Sequence, residues 1–520
     1  MDFTECYQDT CSAVGLAARA GDARRVQRLL KRGYSADVKD NRGWNPLHEA
    51  AASGSTECVR LLTTSTDSMD SCDYVNSLTH NSETPLYFAA KNGHVRSVKL
   101  LLKVAADVNL KTHDLSCPLF AAVDGGHQET VKVLIRHGAE VNGQRSVSGW
   151  SCLHQAVYRG HADIVRMLAG VSSLEAVDDY SITPLFLAAQ YGHSQCVEML
   201  AGAGANVNCQ ATDLATPLLI AAQEGHLACV EALLAHGANP NLYCNRDQWQ
   251  LPIHAAAQFS HVRVLERLLE VTERECECSK GKVSPLYQAV LSERPASLAP
   301  LLRAGYNPDA QPCFGYTCPL ELAMESSYTQ SDEGVEIVRL FLGAGASISD
   351  QAHSLALRSF QLLQLVLSCR GLPPSGPERA ALAGLALAEV DSASCWLPLL
   401  LRAGMEPALL LHPGLFEEAG EEVLSFFLEF VNWRDLPQEI QNILSRRQAV
   451  SSVTTMKPLE GIPPLAHLCR LQLRACVGSQ RLAERSYVQR LPLPSLLHDY
   501  VQFSDVFRKH CNSIGILSVS

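Results

Sequence analysis

Thr84-Pro85-Leu86-Tyr87-Phe88-Ala89 is the stretch that decides the fold, because close variants of it return along the chain. Asn45-Pro46-Leu47-His48-Glu49-Ala50 precedes it and Cys117-Pro118-Leu119-Phe120-Ala121-Ala122 follows. Later copies begin at Thr183, Thr216, Leu251, Ser284 and Cys318, and one copy, Ser151-Cys152-Leu153-His154-Gln155-Ala156, lacks the proline. The proline-equivalent positions advance by about 34 residues on average, the signature of a repeat array.

The residue types explain one another. Thr or Ser suits a helix N-cap, where its oxygen accepts an orphan backbone N–H. Proline suits the first helical position, since its missing donor would have no partner there. The Leu and Ala that follow face the buried side of a short helix. A second apolar helix and a Gly-Ala-x-x-Asn ending come next, as in Val131-Lys132-Val133-Leu134-Ile135-Arg136-His137-Gly138-Ala139-Glu140-Val141-Asn142. Gly138, Gly204 and Gly237 stand where a helix must end in a left-handed residue. Two antiparallel helices and a turn, recurring about every 33 residues, resemble the ankyrin repeat. The expected fold is all-α: an ankyrin-repeat solenoid of helix-turn-helix units with β-turn fingers.

Working outward, Val14 to Gly21 and Val26 to Gly33 fit one period upstream of Asn45. Regular repeats, about ten, are expected over 9–350. Residues 351–436 keep helical fragments such as Leu355 to Cys369 and Trp396 to Gly404 but lose the hexapeptide, and read as one or two degenerate capping repeats. The longer step between the first two copies implies an insertion around Thr63 to Thr79, expected as an exposed loop.

The totals narrow the class. At 520 residues the chain exceeds one compact core, a limit that repeat arrays escape because each unit buries its face on its neighbours. The apolar share of 47% predicts an ordered chain. The start, Met1-Asp2-Phe3-Thr4-Glu5, is not a secretory signal, and the most apolar runs, Ala380 to Ala388 and Pro407 to Phe416, fall short of the ~18 residues a membrane helix needs. No membrane insertion and a cytoplasmic location are expected. The 19 cysteines, scattered through helical patterns, read as reduced buried side chains. Cys276 and Cys278 form at most a metal half-site, so neither a metal nor another cofactor is expected. Net charge is −11, and the acidity concentrates before Gln441, beyond which 10 basic residues face 4 acidic ones. An array this acidic does not attract nucleic acid.

The pattern changes after Val450. Ile462-Pro463-Pro464-Leu465-Ala466-His467-Leu468-Cys469-Arg470-Leu471-Gln472-Leu473 puts Leu465, Cys469 and Leu473 on one helix face, with the prolines marking its start. A second helix is predicted from Ser479 to Gln489, then the extended run Leu491-Pro492-Leu493-Pro494, then a third short helix from Ser495 to Val501. This arrangement resembles the SOCS box, here over 441–505 with a tail at 506–520. The resemblance implies that Leu465 and Cys469, with Leu473 extending the stripe, anchor Elongin C of the Elongin B/C pair. It also implies that Leu491, Pro492, Leu493 and Pro494 select Cullin-5 with its RING partner. A helix-in-groove anchor needs apolar knobs on one face and nothing catalytic. Repeats and box together resemble the ankyrin repeat and SOCS box proteins over essentially the whole chain, including Ala189-Gln190-Tyr191-Gly192 and Trp249-Gln250-Leu251-Pro252-Ile253-His254.

His48, His154 and His254 recur at one repeat position but on separate units, so each is expected to make a local hydrogen bond to its turn. No phosphate loop, nucleophile elbow or RING cysteine spacing is present. The expected role is therefore that of an adaptor without a catalytic site, recruiting an unidentified protein substrate through its repeats. Trp44 and Trp150, each following a glycine before the hexapeptide, are either interface anchors or packed on the neighbouring finger. A plain scaffold with no ligase association, and an enzyme using the scattered cysteines, are the rival readings. The scaffold requires Leu465 and Cys469 to face the protein's own repeats.

Overall fold

The computed structural model describes residues 11–64, 71–142, 148–244, 250–273, 283–310, 318–325 and 331–450, and in the C-terminal stretch 465–478, 481–482, 485–490, 498, 502–504 and 506–508. The chain divides into two compact units, the first reaching Glu273 and the second beginning at Val283.

In the first unit the hexapeptides do what their chemistry suggests. Each opens a first helix: Pro46–Ala52, Pro85–Lys91, Pro118–Asp124, Cys152–Tyr158, Pro184–Gln190, Pro217–Glu224 and Pro252–Gln258. Thr84, Thr183 and Thr216 cap them by accepting the N–H of Tyr87, Phe186 and Leu219 at 3.1–3.2 Å. Their extended backbones, such as φ −99° and ψ 162° at Thr84, are what a following proline demands. Cys117 substitutes a thiol for the hydroxyl, its Sγ accepting from the Phe120 N–H at 3.4 Å. A second helix follows each first helix, and Ala13–Arg19 with Ala23–Lys31 supply one further pair upstream. First helices stack on first helices and second on second, burying Leu119, Leu134, Leu185 and Leu200 almost completely. Each such leucine contributes about 2 kcal/mol or more.

Two sequence features staple neighbouring repeats. The asparagine ending one repeat accepts a backbone N–H of the next: Asn109 from Glu140, Asn142 from Ser173 and Asn208 from Asn239, at 2.8–3.0 Å. A Gly-His pair between the two helices forms the other staple. The His127 ring donates from Nε2 to the Lys91 carbonyl at 2.9 Å and lies against Gly93, where a Cβ would meet Nδ1 at 2.4 Å. Gly93 also has φ +72°, so both space and backbone require glycine. His94, His226 and His261 bond backwards in the same way, to Ala52, Gln190 and Gln223.

The described end of the insertion after the second repeat, residues 71–79, contains a packed element and is not simply an exposed loop. Within it Ser71–Val75 is helical, Tyr74 and Val75 are buried, and the Tyr74 hydroxyl donates to the Ala36 carbonyl at 2.9 Å. An apolar pair in a long connection finds the open side of the first repeat.

The second unit continues with Pro285–Leu291 and Pro295–Arg303, then Pro319–Met324 and Asp332–Ala344. Asp350–Leu357, Phe360–Arg370, Gly376–Ala388, Ala393–Arg402, Pro413–Glu418 and Glu421–Leu428 follow without the hexapeptide, around buried Trp396, Phe416 and Phe427. Gln438–Val450 runs unbroken through residue 441 and is held to the preceding helices by Arg447, which donates to the Phe416 carbonyl at 2.8 Å. Leu465–Val477 and Arg485–Val488 are helical in the C-terminal region. Among the described residues there are no strands and no single helix long and apolar enough to cross a membrane. Cys276 and Cys278 lie outside the described residues.

Candidate partner-docking helix and aromatic repeat face

The helix Leu465–Val477 is amphipathic in an unusual sense, because its charged face is the buried one. His467, Arg470 and Arg474, spaced i, i+3 and i+7, are 7%, 6% and 6% exposed. His467 donates from Nε2 to the Val431 carbonyl at 3.1 Å, and its Nδ1 lies 3.6 Å from Glu429 Oε2. Arg474 donates to the Leu401 carbonyl at 3.2 Å. Phe503 stacks on Phe430 with ring centroids 4.3 Å apart, and the Arg470 and Arg474 guanidiniums lie 4.6 and 5.3 Å from its centroid. Aromatic faces and carbonyl oxygens offset the desolvation of these cations. Burial pushes the Arg474 guanidinium down to about 10, which leaves it protonated at neutral pH. Phe503 reaches this position with φ +60°, a left-handed conformation costing about 1–2 kcal/mol in a non-glycine residue.

With the cationic face turned inward, the opposite face is left to solvent. Cys469 is exposed and Leu473 is 39% exposed, one turn apart. Leu465 opens the helix, although its side chain lies outside the described set, as do Leu491, Pro492, Leu493 and Pro494. The sequence pattern brings Cys469 and Leu473 together as expected. It passed over His467, Arg470, Arg474 and Phe503, because charged residues on a terminal helix ordinarily face water. Their shared helix face was the available signal.

The two tryptophans differ in their surroundings. Trp44 packs on Phe88 with centroids 4.2 Å apart, and the Arg42 guanidinium lies 4.3 Å from its ring. Arg42 is in turn paired with Asp40 and Glu49, each at 2.7 Å. Trp150 donates from Nε1 to Asp178 Oδ2 at 3.2 Å, and its ring lies 5.2 Å from Tyr158, which meets Tyr191 edge-on at 5.0 Å. The three repeat histidines behave as local hydrogen-bonding groups. The N–H groups of Asn45, Ser151 and Leu251 donate to Nδ1 of His48, His154 and His254 at 3.0–3.2 Å.

Comparison with known proteins follows the same division. Ankyrin repeats match in three copies over residues 14–112, 107–177 and 170–244, and a SOCS box matches residues 461–502. "Ankyrin repeat and SOCS box protein 3" of Bos taurus is 42% identical over 515 residues, covering 98% of this chain and 96% of that protein. Its Homo sapiens counterpart is 43% identical over 517 residues, covering 98% of each. The chain belongs to the ankyrin repeat and SOCS box family. Among solved structures, the human ASB11 ankyrin repeat domain aligns with 44% of this family member and 99% of that chain, at 32% identity and a TM-score of 0.39. The matched box begins at residue 461, so Gln438–Val450 precedes it.

Proposed function

We propose that this ankyrin repeat and SOCS box protein is the substrate-recognition subunit of an Elongin B/C–Cullin-5 ubiquitin ligase, working in the cytoplasm. Its repeats grip a target protein. Leu465, Cys469 and Leu473 dock Elongin C, and Leu491, Pro492, Leu493 and Pro494 select Cullin-5 with its RING partner. The observation that carries this reading is the outward stripe of Cys469 and Leu473 on a helix anchored through its opposite face. An exposed apolar stripe on an otherwise well-packed element marks a binding face. It also counts against a plain scaffold, which needs Cys469 turned inward. The chain itself brings no catalytic group. It raises the effective concentration of substrate lysines near a ubiquitin-charged enzyme.

Co-purification of the intact chain with Elongin B/C and Cullin-5 tests the reading. Leu465→Ala/Cys469→Ala is expected to weaken Elongin binding about tenfold or more, as loss of a central anchor pair does. Pro492→Ala/Pro494→Ala is expected to lose Cullin-5 while retaining Elongin. If the folded intact chain brings down neither partner, the scaffold reading replaces this one.

A further inference from the structure

Between regular repeats a polar staple joins successive turns. Asn109 accepts the Glu140 N–H, Asn208 that of Asn239 and Asp309 that of Ser347, at 2.8–3.0 Å. In each pair the donor stands two residues past the glycine that follows a second helix: Gly138, Gly237 and Gly345. At the next junction of the second unit both halves of the staple are missing. Ser349 holds the acceptor position, four residues past Gly345. Its hydroxyl caps its own helix instead, accepting the Ala352 N–H at 3.1 Å, and bonds Glu321. Two residues past Gly371 stands Pro373, which has no N–H to donate. Gly371 itself has φ +70° and ψ −167°, a conformation essentially confined to glycine, so the turn leaves its helix in another direction.

A cleft of about 290 Å³ opens between these two turns. Its lining is mainly apolar, including Ile348, Leu363, Val366, Leu372 and Leu382. One wall is fixed by Arg379, which donates to the Pro373 and Pro374 carbonyls at 2.9 and 2.8 Å. Arg370, exposed at the end of its helix, donates to the Ala346 carbonyl at 2.9 Å and so lays its guanidinium across the gap. His353 also lines the cleft, donating from Nδ1 to the Ser349 carbonyl at 3.1 Å, and burial pushes its pKa down, so the ring is neutral at pH 7. Among the described residues that line the cleft, Arg370 alone carries a charge, and no carboxylate pairs with it. A guanidinium presents its N–H groups as a planar fork that matches a carboxylate, and the Ala346 carbonyl takes only one of them. A preformed apolar cleft with one charged group at its edge is the usual form of a binding site, and a wall already fixed costs little to order on binding.

We infer that this cleft takes an apolar side chain of a partner protein, with a neighbouring Asp or Glu of the partner pairing with Arg370. This deepens the adaptor reading and rests on it for the claim that the partner is the captured substrate; the chemistry of the cleft stands apart from it. The apolar lining supplies affinity, and the guanidinium selects partners with an acid beside the buried residue.

Selection of randomised dodecapeptides on the full-length chain tests this directly. The chain's net charge of −11 gives acidic peptides no diffuse attraction, so their recovery reports a site. Selected peptides should carry Asp or Glu next to a large apolar residue, and their binding should weaken with salt. Arg370→Glu should bind them at least tenfold more weakly, and selection repeated on that variant should return Lys or Arg in place of the acids. Ile348→Trp, which fills the cleft, should bind both kinds of peptide at least tenfold more weakly. An unchanged melting midpoint identifies the variants that remain folded, and Arg370→Glu alters only an exposed side chain. The proposal is overturned if no peptide is selected, if those selected lack acids, or if they bind folded Arg370→Glu as well as the parent. It is equally overturned if sedimentation shows that Ile348→Trp merely breaks a dimer, since the cleft then joins two copies of the chain. Elongin B/C capture, measured on the same proteins, should be unchanged. Its absence from the parent would sink the adaptor reading while leaving the peptide result to stand.

Discussion

His48 is completely buried, yet both of its ring nitrogens are in use. Nδ1 accepts the Asn45 N–H at 3.2 Å, and Nε2 donates to the Ser77 and Glu83 carbonyls of the next finger at 3.1 and 3.2 Å. Burial pushes its pKa down from 6.5 to about 4, although the two carbonyl bonds work in the other direction. The native ring is therefore neutral where the unfolded one takes a proton. Its contribution to stability is fully present above pH 6.5, falls as pH drops towards 4, and levels off below that. At pH 5 this one residue should cost the fold about 2 kcal/mol relative to pH 7. Urea midpoints at the two pH values check the figure. His48→Gln should be less stable throughout but lose less on acidification, and an unchanged pH dependence would remove the assignment. The histidine's repeat position and its bond to its own turn were legible in the sequence. Its bond across to the next finger joins residues far apart in the chain, which local pattern does not reveal.

Among the helices opened by the hexapeptide, Cys152–Tyr158 starts without proline. Ser151 caps it, with φ −83° and ψ 169°, a backbone already suited to a following proline. Cys152 is buried beside Cys117, whose thiol is held below its ordinary range chiefly by the hydrogen bond from Cys152. Cys152→Pro should raise stability by about 0.5–1 kcal/mol, since it stiffens the unfolded chain and removes no required backbone donor. A chemical denaturation midpoint reads the change. A loss of more than about 1 kcal/mol would mean that the thiol pair outweighs the backbone effect. Helix starts of this kind were readable because capping is local chemistry. The Ser71–Val75 helix was not, because five residues have little helical tendency alone and Tyr74 and Val75 become ordered only by burial.

For the whole molecule, the question is whether the box is appended to the repeats or belongs to their fold. Phe503 stacks on Phe430, Phe507 lies 5.6 Å from both Phe426 and Phe430, and Arg474 reaches back to Leu401. A chain ending at residue 450 would uncover Phe426 and Phe430, at a cost of about 2–4 kcal/mol to the second unit. Thermal unfolding should then begin earlier, with added binding of an apolar dye. An unchanged midpoint would mean that the box hangs free. Arg474→Glu should reproduce much of the loss, because it places an acid among aromatic faces and a carbonyl.

By itself the sequence determined the repeat unit, its period, the capped helix starts, the left-handed glycines and the stripe of Cys469 and Leu473, all of which follow from chemistry within a few turns of chain. Only the tertiary structure decided that Arg470 and Arg474 point inward, that Trp44 packs between Arg42 and Phe88, and that Tyr74 and Val75 of the long insertion fold back. Each of these depends on which surface a distant segment leaves available. A buried cation and a solvated one read alike until the aromatic rings around them are in place.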